Sequence, residues 1–110
     1  MGIIKIIGEN RKDNRIETMI GTVAPGTRVV VLEHSKSESM EIKVSNLGHC
    51  TLAFFPALCP EGSIPGNKLL VAPGKSQDLI IEKAINGKPW FLMASNPDEV
   101  ETGWYEMSEV

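Results

Sequence analysis

The phrase Val-Ala-Pro-Gly occurs twice, at residues 23–26 and 71–74, each time just before a strand-like segment. A central Pro-Gly pair is restrictive. Proline presets φ at the first central position and glycine supplies the positive φ that a type II turn requires at the second. A chain that makes the same tight reversal before two β-branched runs reads as a β-protein. An offset of 48 residues brings the two phrases into register and lays Val31 and Leu32 on Leu79 and Ile80. Tandem duplication would give this pattern. So would the repeated need of a sandwich fold for a turn before a strand, and that plainer reading is the one adopted.

The remaining punctuation agrees. No apolar stripe of helical period is sustained over three turns. Short β-branched or aromatic runs are instead separated by Gly, Pro, Asn and Ser, which predicts strands at residues 3–7, 16–20, 28–32, 39–45, 50–55, 68–71, 77–82, 89–94 and 103–107. Residues 8–14 carry no apolar side chain to bury and read as a loop. Residues 56–67, with Pro56, Pro60 and Pro65, read as a long crossing, because each proline removes a ladder hydrogen bond. Asn86-Gly87 is a two-residue hairpin signal and predicts that residues 77–82 and 89–94 are directly joined.

Alternation is cleanest at residues 39–45, where Met40, Ile42 and Val44 turn to a core and Glu41, Lys43 and Ser45 to water. Residues 28–32 and 50–55 are apolar on both faces. This predicts strands covered on both sides or touching something beyond their own core. The expectation is an all-β, single-domain antiparallel β-sandwich over residues 1–110, open to jelly-roll or barrel-like closure. With 110 residues, two domains would each be too small to bury a useful core.

Eleven basic residues against fourteen acidic give a formal charge of −3. Phosphate binding needs a concentrated cationic surface, so nucleic acid is not expected as a partner. No apolar run approaches the roughly 20 residues that cross a bilayer, and the apolar start at residues 3–7 is too short for a signal peptide. Neither a membrane nor a cofactor is expected, and a cytoplasmic location is the default, although a mature secreted chain whose signal had been removed would read the same.

Cys50 and Cys59 read as two free, mostly buried thiols. A disulfide between them would require a Cα separation that spacing does not establish. His34, His49, both cysteines and Met93 are the conceivable soft metal ligands. His49 and Cys50 are neighbours, so on a strand they leave opposite faces. No nucleophile elbow, paired HExxH histidines or triad signature is present, and no catalytic or metal-binding set is assigned.

The run Ile42-Lys43-Val44-Ser45-Asn46-Leu47-Gly48-His49, followed by Ala72-Pro73-Gly74-Lys75-Ser76 and the late strand at 89–94, resembles the phrasing of cupredoxin-like β-sandwich domains. That resemblance implies a sandwich fold and likens His49 to a family copper ligand. Around the last hairpin, Ser95-Asn96-Pro97-Asp98 lacks the cysteine and second histidine that a blue-copper centre needs, so copper is not implied.

The aromatic residues carry the functional reading. Phe54 and Phe55 are adjacent and cannot share a face, and the same holds for Trp104 and Tyr105. The expected function is a non-catalytic module for homo-oligomeric assembly or protein-partner binding. It would act by burying an apolar patch around Phe55, Trp104 and Tyr105 within a polar rim. The alternative is carbohydrate binding, with Trp90 and Trp104 as stacking surfaces and Asn96 and Asp98 bonding hydroxyls. A metal-binding or small-enzyme role comes third.

Overall fold

The computed structural model describes residues 18–110. Among the described residues eight strands follow one another in this order: β1 (Met19–Val23), β2 (Arg28–His34), β3 (Met40–Asn46), β4 (Leu52–Ala57), β5 (Leu69–Val71), β6 (Ser76–Ile81), β7 (Trp90–Ser95) and β8 (Gly103–Glu109). The strand predicted at residues 3–7 and the loop at 8–14 lie outside the described residues.

Two four-stranded antiparallel sheets form, with strand orders β1-β8-β3-β6 (sheet A) and β2-β7-β4-β5 (sheet B). The pairings nest: β4 with β5, β3 with β6, β2 with β7 and β1 with β8. This is one long hairpin, its tip between β4 and β5, rolled so that other consecutive strands alternate between sheets. That is the jelly-roll form of the expected β-sandwich.

Each strand sends alternate side chains inward. Val23, Ile42, Val44, Ile81, Tyr105 and Met107 from sheet A meet Val31, Leu52, Phe54, Val71, Leu92 and Ala94 from sheet B in one buried cluster. The Tyr105 ring meets Phe54 edge to face at 6.1 Å.

Both Pro-Gly turns form as their chemistry dictates. Gly26 and Gly74 have φ of 69° and 77°. Thr27 N–H donates to Ala24 O at 3.2 Å and Lys75 N–H to Ala72 O at 3.0 Å, closing the two turns.

Three expectations are corrected. Asn86 and Gly87 do take positive φ and close a turn between Ile85 and Lys88. They do not join a hairpin, because β6 pairs in sheet A and β7 in sheet B. Pro56 lies inside β4 rather than in a crossing, paired with Leu92 of β7. It is tolerated because β5 accompanies β4 only as far as Phe54, leaving an edge where Pro56 stands. Residues 28–32, expected to be covered on both faces, belong to an edge strand on which Val30 is 46% exposed. Their continuous apolar run reflects a bulge between Val30 and Leu32, which lets the successive residues Val31 and Leu32 both reach the core.

Candidate functional site

The end of the sandwich that holds both Pro-Gly turns also holds two buried asparagines. Asn46, at the end of β3, donates through Nδ2 to Val71 O (2.8 Å) and Cys50 O (2.7 Å), and its Oδ1 accepts Gly48 N–H (2.9 Å). Asn96, just after β7, donates through Nδ2 to Val23 O (3.0 Å) and Glu101 O (2.8 Å), and its Oδ1 accepts Asp98 N–H (3.0 Å). The backbones repeat the correspondence. Gly74 N–H donates to Asn46 O, and Gly26 N–H to Asn96 O.

Between these two clamps lies Cys50, a buried free thiol whose Sγ–H is 3.6 Å from Asn96 Oδ1. Burial raises its pKa, the carboxylates of Asp98 and Glu101 add to the rise, and the Asn96 hydrogen bond partly offsets it. An inert structural thiol results. Cys59 is also free but exposed, contrary to the expectation of burial.

The proposed sugar-binding set is divided by this geometry. Asn96 is 1% exposed and its amide is fully committed to backbone groups, so it offers nothing to a ligand. Asp98 turns inward on its own loop. Its Oδ1 accepts Val100 and Glu101 N–H at 2.8 Å each, and those bonds, Glu101 first, hold its pKa below the ordinary carboxylate value. Trp90 starts β7 at the opposite end of the strand from Ser95, beside His34. Its ring packs on the core and its Nε1–H donates to Lys83 O at 3.1 Å.

The partner-binding set is divided as well. Phe55 and Tyr105 are 1% and 8% exposed, so neither ring is presented to a partner. Tyr105 lies over Gly21, and burial raises its phenol pKa. Trp104 is 48% exposed, and of the six aromatic side chains in the chain it alone is in the open.

Trp104 stands on the outer face of sheet A, because its neighbours Gly103 and Tyr105 are buried. Thr22 of β1 is its cross-strand partner, and Leu47 N–H donates to its carbonyl at 2.9 Å. Leu47 is itself 50% exposed. The backbone of Gly48 passes close enough that a Cβ there would lie 3.1 Å from Trp104 N and 3.5 Å from Cδ1. The tight approach is to the Trp104 backbone, while the indole stands at ordinary contact distance from where that Cβ would be.

Below Trp104 the outer face continues in registered rows. Ile20, Glu106, Ser45 and Ser76 form the next, with the two serine hydroxyls 2.7 Å apart. Ser108, Lys43 and Asp78 form the one after, placing Lys43 and Asp78 directly opposite each other. An open groove of about 840 Å³ lies on this part of the face, lined among others by Lys43, Ser76, Asp78 and Ser108. The sequence gives the outward parity of Glu41, Lys43 and Ser45. It does not reveal that β6 and β8 flank them, so it does not single out Ser76, Asp78, Glu106 and Ser108.

His34 is buried at the other end, with Nε2 2.7 Å from Glu38 O. His49 is exposed in the turn after β3. Among the described residues no three His, Cys, Asp or Glu side chains converge as a metal site requires. No helix among them is long and apolar enough to cross a membrane.

The fold defines the chain as an all-β jelly roll, and two solved structures share that architecture. One, described as the crystal structure of PirA, superposes with a TM-score of 0.67 at 14% identity, covering 92% of this chain and all of its own. The other, a de novo designed double-stranded β-helix determined by solution NMR, gives 0.54 at 15% identity, covering 86% of this chain and all of its own. At these identities the likeness is one of fold. No family model and no curated protein matches the sequence.

Proposed function

We propose that this chain is a binding module without chemistry of its own, engaging its partner through the outer face of sheet A with Trp104 as the anchor. One observation carries the reading: every other aromatic ring is at least partly buried, while Trp104 is 48% exposed beside an equally exposed Leu47. Burying such a ring in a partner is the usual source of a dominant contact, and the polar groups around it would fix orientation. Tyr105, buried on the inner face of the same strand, contributes support from beneath rather than contact, and Phe55 belongs to the other sheet.

Self-association is a second reading, favoured by β1, the edge strand of sheet A among the described residues, which adjoins Trp104's strand and exposes Ile20 (63%) and Met19 (37%). An edge strand with apolar side chains is a template for pairing with another copy. Sedimentation equilibrium over the micromolar range, on the native chain and on Trp104→Ala, tests both readings. A dimer that Trp104→Ala dissociates supports self-association through this face. A dimer indifferent to Trp104→Ala places assembly elsewhere and argues against Trp104 as anchor.

A further inference from the structure

We propose that the partner of this face is a neutral oligosaccharide, lying along β8 from the Trp104 indole into the groove floored by Ser108, Lys43 and Asp78. The inference rests on the reading of the Trp104 face as a binding surface and names the ligand class.

Three features of the face select that class. First, it offers one flat aromatic surface, with Leu47 and Ile20 at its margins, and polar rows below it. The row below Trp104 is Glu106, Ser45 and Ser76 with Ile20 at its edge, and the row after it is wholly polar. A protein partner with an apolar core would leave those groups unpaired, at a cost for each buried donor or acceptor. A polyhydroxylated ring instead sets a C–H face on an indole and exchanges hydroxyl hydrogen bonds around its rim.

Second, the polar groups match hydroxyl chemistry. A serine hydroxyl has one donor and two acceptor positions. The Ser45–Ser76 pair therefore satisfies part of its own capacity and still presents donor and acceptor to a ligand. Glu106 and Asp78 accept only, Lys43 donates only, and Ser108 does both. Successive outward residues of a strand lie about 6.8 Å apart, so Trp104, Glu106 and Ser108 span roughly 14 Å of extended surface. That length calls for several linked sugar units rather than one.

Third, the charge excludes polyanions. The outward ionisable side chains of sheet A are Glu41, Glu106 and Asp78 against Lys43. A sulfated or phosphorylated ligand would be repelled. Among the described residues of this face the one cation sits directly opposite Asp78, so it neutralises a neighbour rather than forming an anion site.

The test is an NMR titration of the isotopically labelled chain with neutral hexaoses (cello-, xylo-, manno-, malto- and chito-oligosaccharide), each taken separately to millimolar concentration. Heparin fragments and oligolysine serve as charged comparisons. The expected result is a saturable shift of the Trp104 Nε1–H signal with at least one hexaose, accompanied by the amides of Glu106, Lys43 and Ser108. The Trp90 Nε1–H, committed to Lys83 O, should stay fixed. Trp104→Ala should weaken binding tenfold or more, and Lys43→Ala and Asp78→Ala each at least threefold.

A Trp104 signal that follows only oligolysine overturns the inference in favour of a basic peptide. A signal that moves with protein concentration but with no saccharide also overturns it, while leaving the binding face in place. A signal that nothing moves overturns both.

Discussion

Asn46 and Asn96 are the same device used twice: each buried amide grips the valine carbonyl of one Val-Ala-Pro-Gly phrase, Val71 for Asn46 and Val23 for Asn96. Each also accepts the N–H two residues on and reaches a carbonyl four or five residues on. The roll maps β1 onto β5 and β3 onto β7, so the two clamps occupy corresponding places in the two halves of the fold. They join β3 to β5 and β7 to β1 at the end where four loops meet.

Asn46→Ala and Asn96→Ala should therefore be strongly destabilising. Each substitution strands at least three backbone groups, and an unsatisfied buried group costs about 1–3 kcal/mol. With water entering to satisfy some of them, the expected loss is about 2–4 kcal/mol for either variant, read from urea denaturation. A loss under about 1 kcal/mol would show that the clamps follow the fold rather than hold it.

Gly21 makes room for Tyr105. A Cβ at Gly21 would collide with the phenol oxygen and Cζ of Tyr105, so Gly21→Ala must push the ring from its place against Phe54. Overpacking of this kind costs about 1–3 kcal/mol. Pairing Gly21→Ala with Tyr105→Leu in a double-mutant cycle should recover a good part of the loss, and strict additivity would contradict the contact.

The two thiols should separate in a labelling experiment. Cys59 is exposed and should react with a disulfide reagent in the native protein. Cys50 is buried, with its thiolate disfavoured by burial and by Asp98 and Glu101, and should react only on unfolding. Equal native rates for both would contradict the packing around Asn96.

Asp98 gives a pH signature. Its folded pKa lies below the unfolded value of about 3.9, because Glu101 and Val100 N–H groups bond the ionised carboxylate. The unfolded chain then binds the proton more readily, so this contribution is fully present above the unfolded pKa. It is lost as pH falls through the folded one. Asp98→Asn should flatten the stability profile below about pH 4 and leave its neutral-pH shape unchanged. An unchanged acid limb would remove Asp98 as its source.

Much of the fold is legible in residue order, and the reasons are local. The Pro25-Gly26 and Pro73-Gly74 turns, the alternation of β3 and the turn at Asn86-Gly87 all follow from backbone preferences of a few residues. Which sheet each strand joins is not local. The Asn86 turn looks the same whether it closes a hairpin or carries the chain between sheets, and burial of Leu79, Ile81 and Leu92 against opposite partners decides the matter. For the same reason Trp104 is readable as an exposed aromatic, whereas Glu106, Ser45 and Ser76 become its neighbours only once β8 and β6 flank β3. Phe55 and Asn96 are lost as contact residues because burial and hydrogen-bond satisfaction depend on the whole roll.

The central claim is that Trp104 serves a partner and not the core, and one variant tests it directly. Trp104→Ala, measured for both stability and association, should stay within about 0.5 kcal/mol of the native chain in urea, as surface substitutions do. It should lose the interaction that the native chain makes, whether with a hexaose or with a second copy. A variant that is several kcal/mol less stable, or that binds as the native chain does, would contradict the account.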